Sequence, residues 1–255
     1  MRERLEGLRR DRFSPRAVAK FLGASAARSA SIRRERPELA RRARLWCAAG
    51  AGAWIAGATL DVGPCRRRLG TGLGWWGATS IMLDWHLGMV ETVDGRPRNL
   101  SPADALTLSR AWLVPVVADS PTPLLCAVGA ATDVLDGALA RRTQPTRAGR
   151  DLEGLVDTCF SLAALRGLAR EGRLARGAAV AEATRLVAGT GVATLHYLGR
   201  VRAPDPQLAH AARSTAVVRC AGVIAAASGR RRLGDLLVVA GAAVAVALAG
   251  RQSLM

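Results

Sequence analysis

The stretch Asp133-Val-Leu-Asp136-Gly137-Ala-Leu-Ala140-Arg141, followed by Gly149-Arg-Asp-Leu-Glu153-Gly-Leu-Val-Asp157, sets four spaced acids in the most apolar part of the chain. Asp133 and Asp136 are three residues apart, and Glu153 and Asp157 are four apart. On helices each pair therefore projects from one face. The residues from Arg142 to Ala148 are long enough to join two such helices and turn both pairs toward one point. Ionised carboxylates at membrane depth are costly unless they line a water-filled cavity or meet positive charge, and close together they oppose one another's ionisation. A hard divalent cation with oxygen ligands, Mg²⁺ or Mn²⁺, removes that conflict, so the acids read as a metal site.

Outward from this centre the chain reads as helices. Apolar runs fall at about Leu45 to Gly63, Leu69 to Val90, Ala103 to Ala118, Pro123 to Ala140, Leu152 to Leu168, Ala178 to Leu198, Leu208 to Ala227 and Leu233 to Ala249. They are separated by Arg, Gly and Pro turns, and single charges interrupt several of them. They fit a bundle of spanning helices better than a soluble helical bundle. Half of the 255 residues are hydrophobic, with many Ala and Gly and few aromatics, a composition suited to close helix contacts in a membrane.

The formal charge of +17 comes almost wholly from Arg, since Lys20 is the only lysine. The basic residues are scattered, and neither zinc-finger spacing nor an aromatic-rich RNA-binding motif accompanies them. Nucleic acid is therefore not expected, and anionic lipid headgroups are the better partner. Cys47, Cys65, Cys126, Cys159 and Cys220 are dispersed without a C-x2-C pair, which predicts neither disulfides nor zinc. Residues 1–44 form an Arg-rich segment in which Ser14-Pro15 reads as a helix start. Its two readings are an interfacial helix, with Ala17, Val18, Phe21 and Leu22 opposite Arg16 and Lys20, and a partly disordered basic tail.

The acidic stretch resembles the signature of the CDP-alcohol phosphatidyltransferase family, D-x2-D-G-x2-A-R, a spacer, then G-x3-D-x3-D. Asp133, Asp136, Gly137, Ala140, Arg141, Gly149 and Asp157 fall in place. Two departures accompany the match. The third acid is Glu153 where the family has Asp, and seven residues follow Arg141 where eight are common. Upstream, Ser101-Pro102-Ala-Asp104 reads as a capping box opening a helix with Thr107 and Arg110, which resembles the family's N-x-x-T-x-x-R with Asp104 in place of Asn.

The resemblance implies an all-α polytopic transmembrane bundle. A six-helix catalytic core over 99–250 would follow the basic segment 1–44 and two additional membrane helices in 45–91. It implies an integral membrane transferase that moves a phosphatidyl or related group from CDP-diacylglycerol, or another CDP-activated donor, to a hydroxyl acceptor with release of CMP. A polyol, a polyol phosphate or serine are the candidate acceptors, and a homodimer stands among the candidate assemblies. Asp133, Asp136, Glu153 and Asp157 would hold Mg²⁺ or Mn²⁺, with Asp157 also the general base. Gly137, Ala140, Arg141, Gly149, Thr107 and Arg110 would accommodate the nucleotide, and Arg213, ahead of Arg219, would meet a phosphorylated acceptor. Glu182 and Arg185 read as a structural ion pair. With the N-terminus inside, the multi-pass cell-membrane topology turns the loops at Glu91 to Ser101, Arg141 to Arg150 and Gly199 to Gln207, and the active site, toward the cytoplasm. The rival reading is a transport or non-catalytic membrane protein whose acids bind cations.

Overall fold

In a computed structural model, the structure describes residues 6–8, 10–92, 94–143, 146–197 and 206–253, and the side chains of all but 140–143, 196–197, 206–210, 212–213 and 249–253 among them. Among the described residues ten helices of known bounds carry the fold: α1 Pro15–Glu35, α2 Pro37–Thr59, α3 Gly63–Arg67, α4 Leu69–His86, α5 Pro102–Asp119, α6 Pro123–Thr143, α7 Arg147–Arg170, α8 Arg176–Tyr197, α9 Pro206–Ala227 and α10 Arg231–Ser253. A single 3₁₀ turn, Leu87–Met89, and an isolated bridge between Glu91 and Pro97 complete the described elements. The eight apolar runs fall largely on α2 and α4 to α10, so the expected all-α class is what is found. Among the described residues no helix is long and apolar enough to cross a membrane.

Local chemistry starts these helices where the sequence says. Ser14 caps α1 by accepting from the Ala17 amide at 3.3 Å, with Pro15 at the first helical position. Ser101 and Asp104 close a reciprocal capping box on α5, the Ser101 amide donating to Asp104 Oδ2 at 2.7 Å.

Two apolar cores share α5 and α7. The first gathers Ile32, Leu39, Trp54, Trp76, Leu83, Leu108, Leu152 and Val156 from α1, α2, α4, α5 and α7. The second gathers Val117, Phe160, Ala164, Leu168, Ala178, Ala226 and Val238 from α5 and α7 to α10. α5 and α7 thus lie where both cores meet, which is where the site is built. Gly129 on α6 is required by this packing: a Cβ there would lie 2.2 Å from the Phe160 ring.

Tryptophans fix the preceding helices to α5. Trp75 on α4 donates its indole N–H to the Ala111 carbonyl at 2.7 Å, and Trp112 on α5 donates to Gly50 on α2 at 2.9 Å. Trp54 and Trp112 stack with centroids 4.9 Å apart. At the opposite end of α5, Asp119 takes Arg67 at 2.7 Å and Arg68 at 2.8 Å. Burial alone would raise the Asp119 carboxyl, but the hydrogen bonds and charges of Arg68 and Arg67 outweigh it and hold the carboxyl below its ordinary range.

The N-terminal segment is joined to the rest by charge as well as by apolar contact. Asp84 of α4 accepts from Ser29 at 3.1 Å and pairs with Arg33. Arg36 donates to the Val90 carbonyl at 3.1 Å, and Arg42 to that of Leu100 at 2.7 Å.

Candidate active site

The capping box sets the angle at which α5 enters the bundle, and Thr107 and Arg110, three residues apart, then face α6 and α7. Arg110 is 1% exposed, and its Nη2 stands at the centre of the acids. It lies 2.7 Å from Asp136 Oδ2, 2.6 Å from Asp157 Oδ1 and 3.8 Å from Asp133 Oδ1. Thr107 donates its hydroxyl to the Asp136 oxygen that Arg110 also meets, at 3.2 Å. The family resemblance puts Thr107 and Arg110 beside the nucleotide; the structure places both against the acids.

Two oxygens in this cluster are buried without a hydrogen-bond partner, Asp136 Oδ1 and Asp157 Oδ1. The second is within ion-pair distance of Arg110 but not aligned to accept from it. A buried carboxylate oxygen without a partner is costly, and Asp136 Oδ1 is the one left so, since Asp157 Oδ1 has the Arg110 charge beside it. Asp133, Asp136 and Glu153 each offer one oxygen, and the three lie no more than 4.8 Å from one another. Oxygens sharing one Mg²⁺ at about 2.1 Å stand about 3.0 Å apart when adjacent and about 4.2 Å when opposite, so the three side chains must draw together to share one ion. Hard oxygen donors and an orphaned oxygen fit a divalent cation. Asp133, with its side chain 51% exposed against 2% for Asp136, marks the open side of the cluster.

The pair separations on α6 and α7 do what their spacing predicts, but Asp157 stands outside the trio. It turns instead to Arg110 and to a cavity of about 230 Å³ walled by α5 to α9. Apolar side chains, Phe160 and Leu165 among them, form most of its lining. Glu182 and Arg185 line the same cavity as Asp133 and Asp157, and there Glu182 receives both forks of Arg185 at 2.7 Å. Arg219 Nε reaches the same carboxylate at 2.9 Å, while its Nη1 is held by Thr215. The Glu182 and Arg185 pair expected from the sequence is therefore one half of a three-residue cluster. Arg219 is its missed member; it lies 34 positions from Arg185, and only the packing of α9 brings them together. Arg213, the favoured candidate on α9, has a side chain outside the described residues.

Gly149 has a structural task beside any role toward a nucleotide. A Cβ at this position would lie 2.7 Å from Asp104 Oδ1 and 3.0 Å from Thr146 Oγ1. Thr146 caps α7 through the Gly149 amide at 3.0 Å. The glycine thus lets the start of α7 rest on the capping box of α5, which joins the two motif helices at their N-terminal ends. Gly137 is half-buried on the α6 face beside Asp136. Ala140 and Arg141 belong to the last turns of α6, with side chains outside the described residues.

No curated protein and no solved structure matches the chain. The sequence model of the CDP-alcohol phosphatidyltransferase family matches residues 100–250. That span takes in α5 to α9, nearly all of α10, and every carboxylate and guanidinium of the site, and the chain belongs to the CDP-alcohol phosphatidyltransferase family.

Proposed function

We propose that the chain is an integral membrane enzyme that transfers a phosphatidyl group from CDP-diacylglycerol to a phosphorylated alcohol and releases CMP, a step of phospholipid synthesis. The observation that carries this reading is the shared cavity: Asp157, paired with Arg110, lines the same space as the guanidinium groups of Arg185 and Arg219. Asp157 is the base. It takes the proton of the acceptor hydroxyl as that oxygen bonds to the phosphorus bearing the diacylglycerol, and the bond to the CMP oxygen breaks with its electron pair. Asp133, Asp136 and Glu153 are the ligands for Mg²⁺ or Mn²⁺, which when bound supplies charge neutralisation to the pyrophosphate. Arg110 holds Asp136 and Asp157 in place, and Gly137, Ala140, Arg141 and Gly149 form the nucleotide side.

The acceptor follows from charge. Arg185 and Arg219 bring two cations against the single carboxylate of Glu182, a local surplus of positive charge in a cavity whose other ionised groups are Arg110, Asp133 and Asp157. A polyol phosphate satisfies that surplus, whereas serine or an uncharged polyol leaves it unmatched.

A lipid setting accounts for the outer surface. Leu124 is 73% exposed, Val134 69%, Val217 73% and Leu236 64%, which in water would form an unusually apolar exterior. The 18 residues Leu233 to Gly250 contain Asp235 as their one ionisable residue. The reading sets the acids toward the cytoplasm, where the nucleotide is available.

The test is incubation of the purified protein with labelled CDP-diacylglycerol, Mn²⁺ and, in turn, glycerol phosphate, inositol phosphate, inositol and serine. CMP release with a new lipid is expected for the phosphorylated acceptors. Release with serine or inositol alone would overturn the acceptor assignment, and no release with any acceptor or CDP-activated donor would overturn the activity.

A further inference from the structure

Among the described residues one hydroxyl lines the cavity that holds Asp157 and the Glu182 cluster, that of Ser161 on α7. It lies one turn beyond Asp157, about 40° around the helix. Two contacts fix where that face of α7 points. Phe160 is turned to α6, where the missing Cβ of Gly129 gives its ring room, and Thr158 is turned to α8, where its hydroxyl meets that of Thr190 at 3.1 Å. By azimuth Ser161 falls between these two neighbours, on the side of Asp157, so its side chain is directed into the space between α6 and α8. A helical serine or threonine commonly donates to a carbonyl one turn earlier, as Thr158 does to Gly154 at 2.9 Å and Thr132 does to Val128 at 2.9 Å. Ser161 does not: half-buried, it makes no hydrogen bond among the described residues. The guanidinium groups of the lining are already engaged, Arg110 with the acids, and Arg185 and Arg219 with Glu182.

We propose that Ser161 hydrogen-bonds a hydroxyl of the acceptor on the carbon next to the one that reacts, and so selects a polyol phosphate over the phosphate ester of a simpler alcohol with the same reacting group. This rests on the acceptor reading given above and narrows it to one chemical feature. Asp157 and Ser161 stand one turn apart, about 5.4 Å along the axis, and a hydrogen bond of about 2.8 Å at each end lets adjacent hydroxyls of one polyol reach both. The reacting hydroxyl lies at Asp157 and its neighbour lies one turn further along α7. Phe160, Ala164 and Leu165 make the lining around Ser161 apolar, which keeps water from competing for that bond. A ligand without the second hydroxyl leaves Ser161 unpaired in the filled cavity, and a site built to bond a hydroxyl rejects such a ligand for that reason.

Binding rather than turnover tests this, so a protein that releases no CMP fails the transfer reading and is still judged here. The full-length protein in neutral detergent is titrated by calorimetry with glycerol phosphate and with 3-hydroxypropyl phosphate, which carries the same phosphate and terminal hydroxyl but lacks the middle hydroxyl. The parent should bind glycerol phosphate about five- to tenfold more tightly, the worth of one hydrogen bond between neutral groups. In Ser161→Ala that preference should vanish, and in Ser161→Thr, which keeps the hydroxyl, it should persist. The preference compares two ligands in one protein, so a general loss of packing in a variant would weaken both and leave it unchanged. Equal affinities in the parent, a preference in Ser161→Ala as large as the parent's, or no binding of either ligand to the parent would overturn the proposal.

Discussion

Arg110→Met removes the cation around which Asp133, Asp136 and Asp157 are arranged, at 3.8, 2.7 and 2.6 Å. Met fills similar volume but leaves the carboxylates facing one another. Deleting one partner of a buried charged group costs roughly 3–5 kcal/mol, a large share of the ~5–15 kcal/mol by which a domain is stable. For a chain of this size each kcal/mol moves the midpoint by about 2–4 °C, so Tm should fall by roughly 6–20 °C. The same acids, freed of Arg110, should take a divalent cation more readily. Mg²⁺ at ~100 times its Kd restores about 2.7 kcal/mol, or roughly 5–11 °C. Thermal unfolding of both proteins in detergent, with and without Mg²⁺, gives all four midpoints. A variant within about 2 °C of the parent, or one that gains no more from Mg²⁺ than the parent does, would refute the idea that one guanidinium and a metal serve the same carboxylates.

Asp157→Asn keeps the shape of the side chain but cannot take a proton; turnover should drop ~10²-fold or more with the donor KM nearly unchanged, and near-normal turnover would remove Asp157 from the chemistry. Glu153→Asp restores the residue of the family signature and should retain measurable CMP release, whereas Glu153→Ala should abolish it; a harmless Ala would mean that Glu153 is no ligand. The lowered Asp119 carboxyl makes a pH prediction. Because its folded value lies below the unfolded ~3.9, the stability it contributes is complete above that pH and is lost as pH falls through the folded value. The parent should thus be more stable than Asp119→Asn near neutrality, and the difference should shrink below about pH 4 in acid-unfolding curves; a difference independent of pH would contradict the pairing with Arg67 and Arg68.

The helices and the acid pairs were legible because each is set by short-range spacing. Ser101 to Asp104 and Ser14 to Pro15 announce helix starts within four residues, and the three- and four-residue intervals among the acids place each pair on one face. What could not be read depends on partners far apart in the chain. Arg110 as the hub of the acids, Arg219 on Glu182, and Asp84 beneath Ser29 and Arg33 all arise from helix packing that no local pattern encodes. Gly149 belongs to both groups: its place in the signature was visible, but its contact with Asp104, 45 positions earlier, was not. By composition the basic segment ends where the apolar run begins at Leu45. The structure instead continues one helix, α2, from Pro37 through that point, because the Arg side chains there leave Leu39, Ala40 and Ala43 free to pack inward.

The central claim is that Asp133, Asp136 and Glu153 hold a divalent metal. An Mn²⁺ titration of the purified protein, with free Mn²⁺ read by electron paramagnetic resonance, tests it without reference to turnover. Saturable binding is expected in the parent, reversed by a chelator, and weakened about tenfold or more in Asp136→Asn, which removes the charge behind the orphaned oxygen. Mn²⁺ that fails to bind saturably, or that binds Asp136→Asn as tightly as the parent, would contradict it.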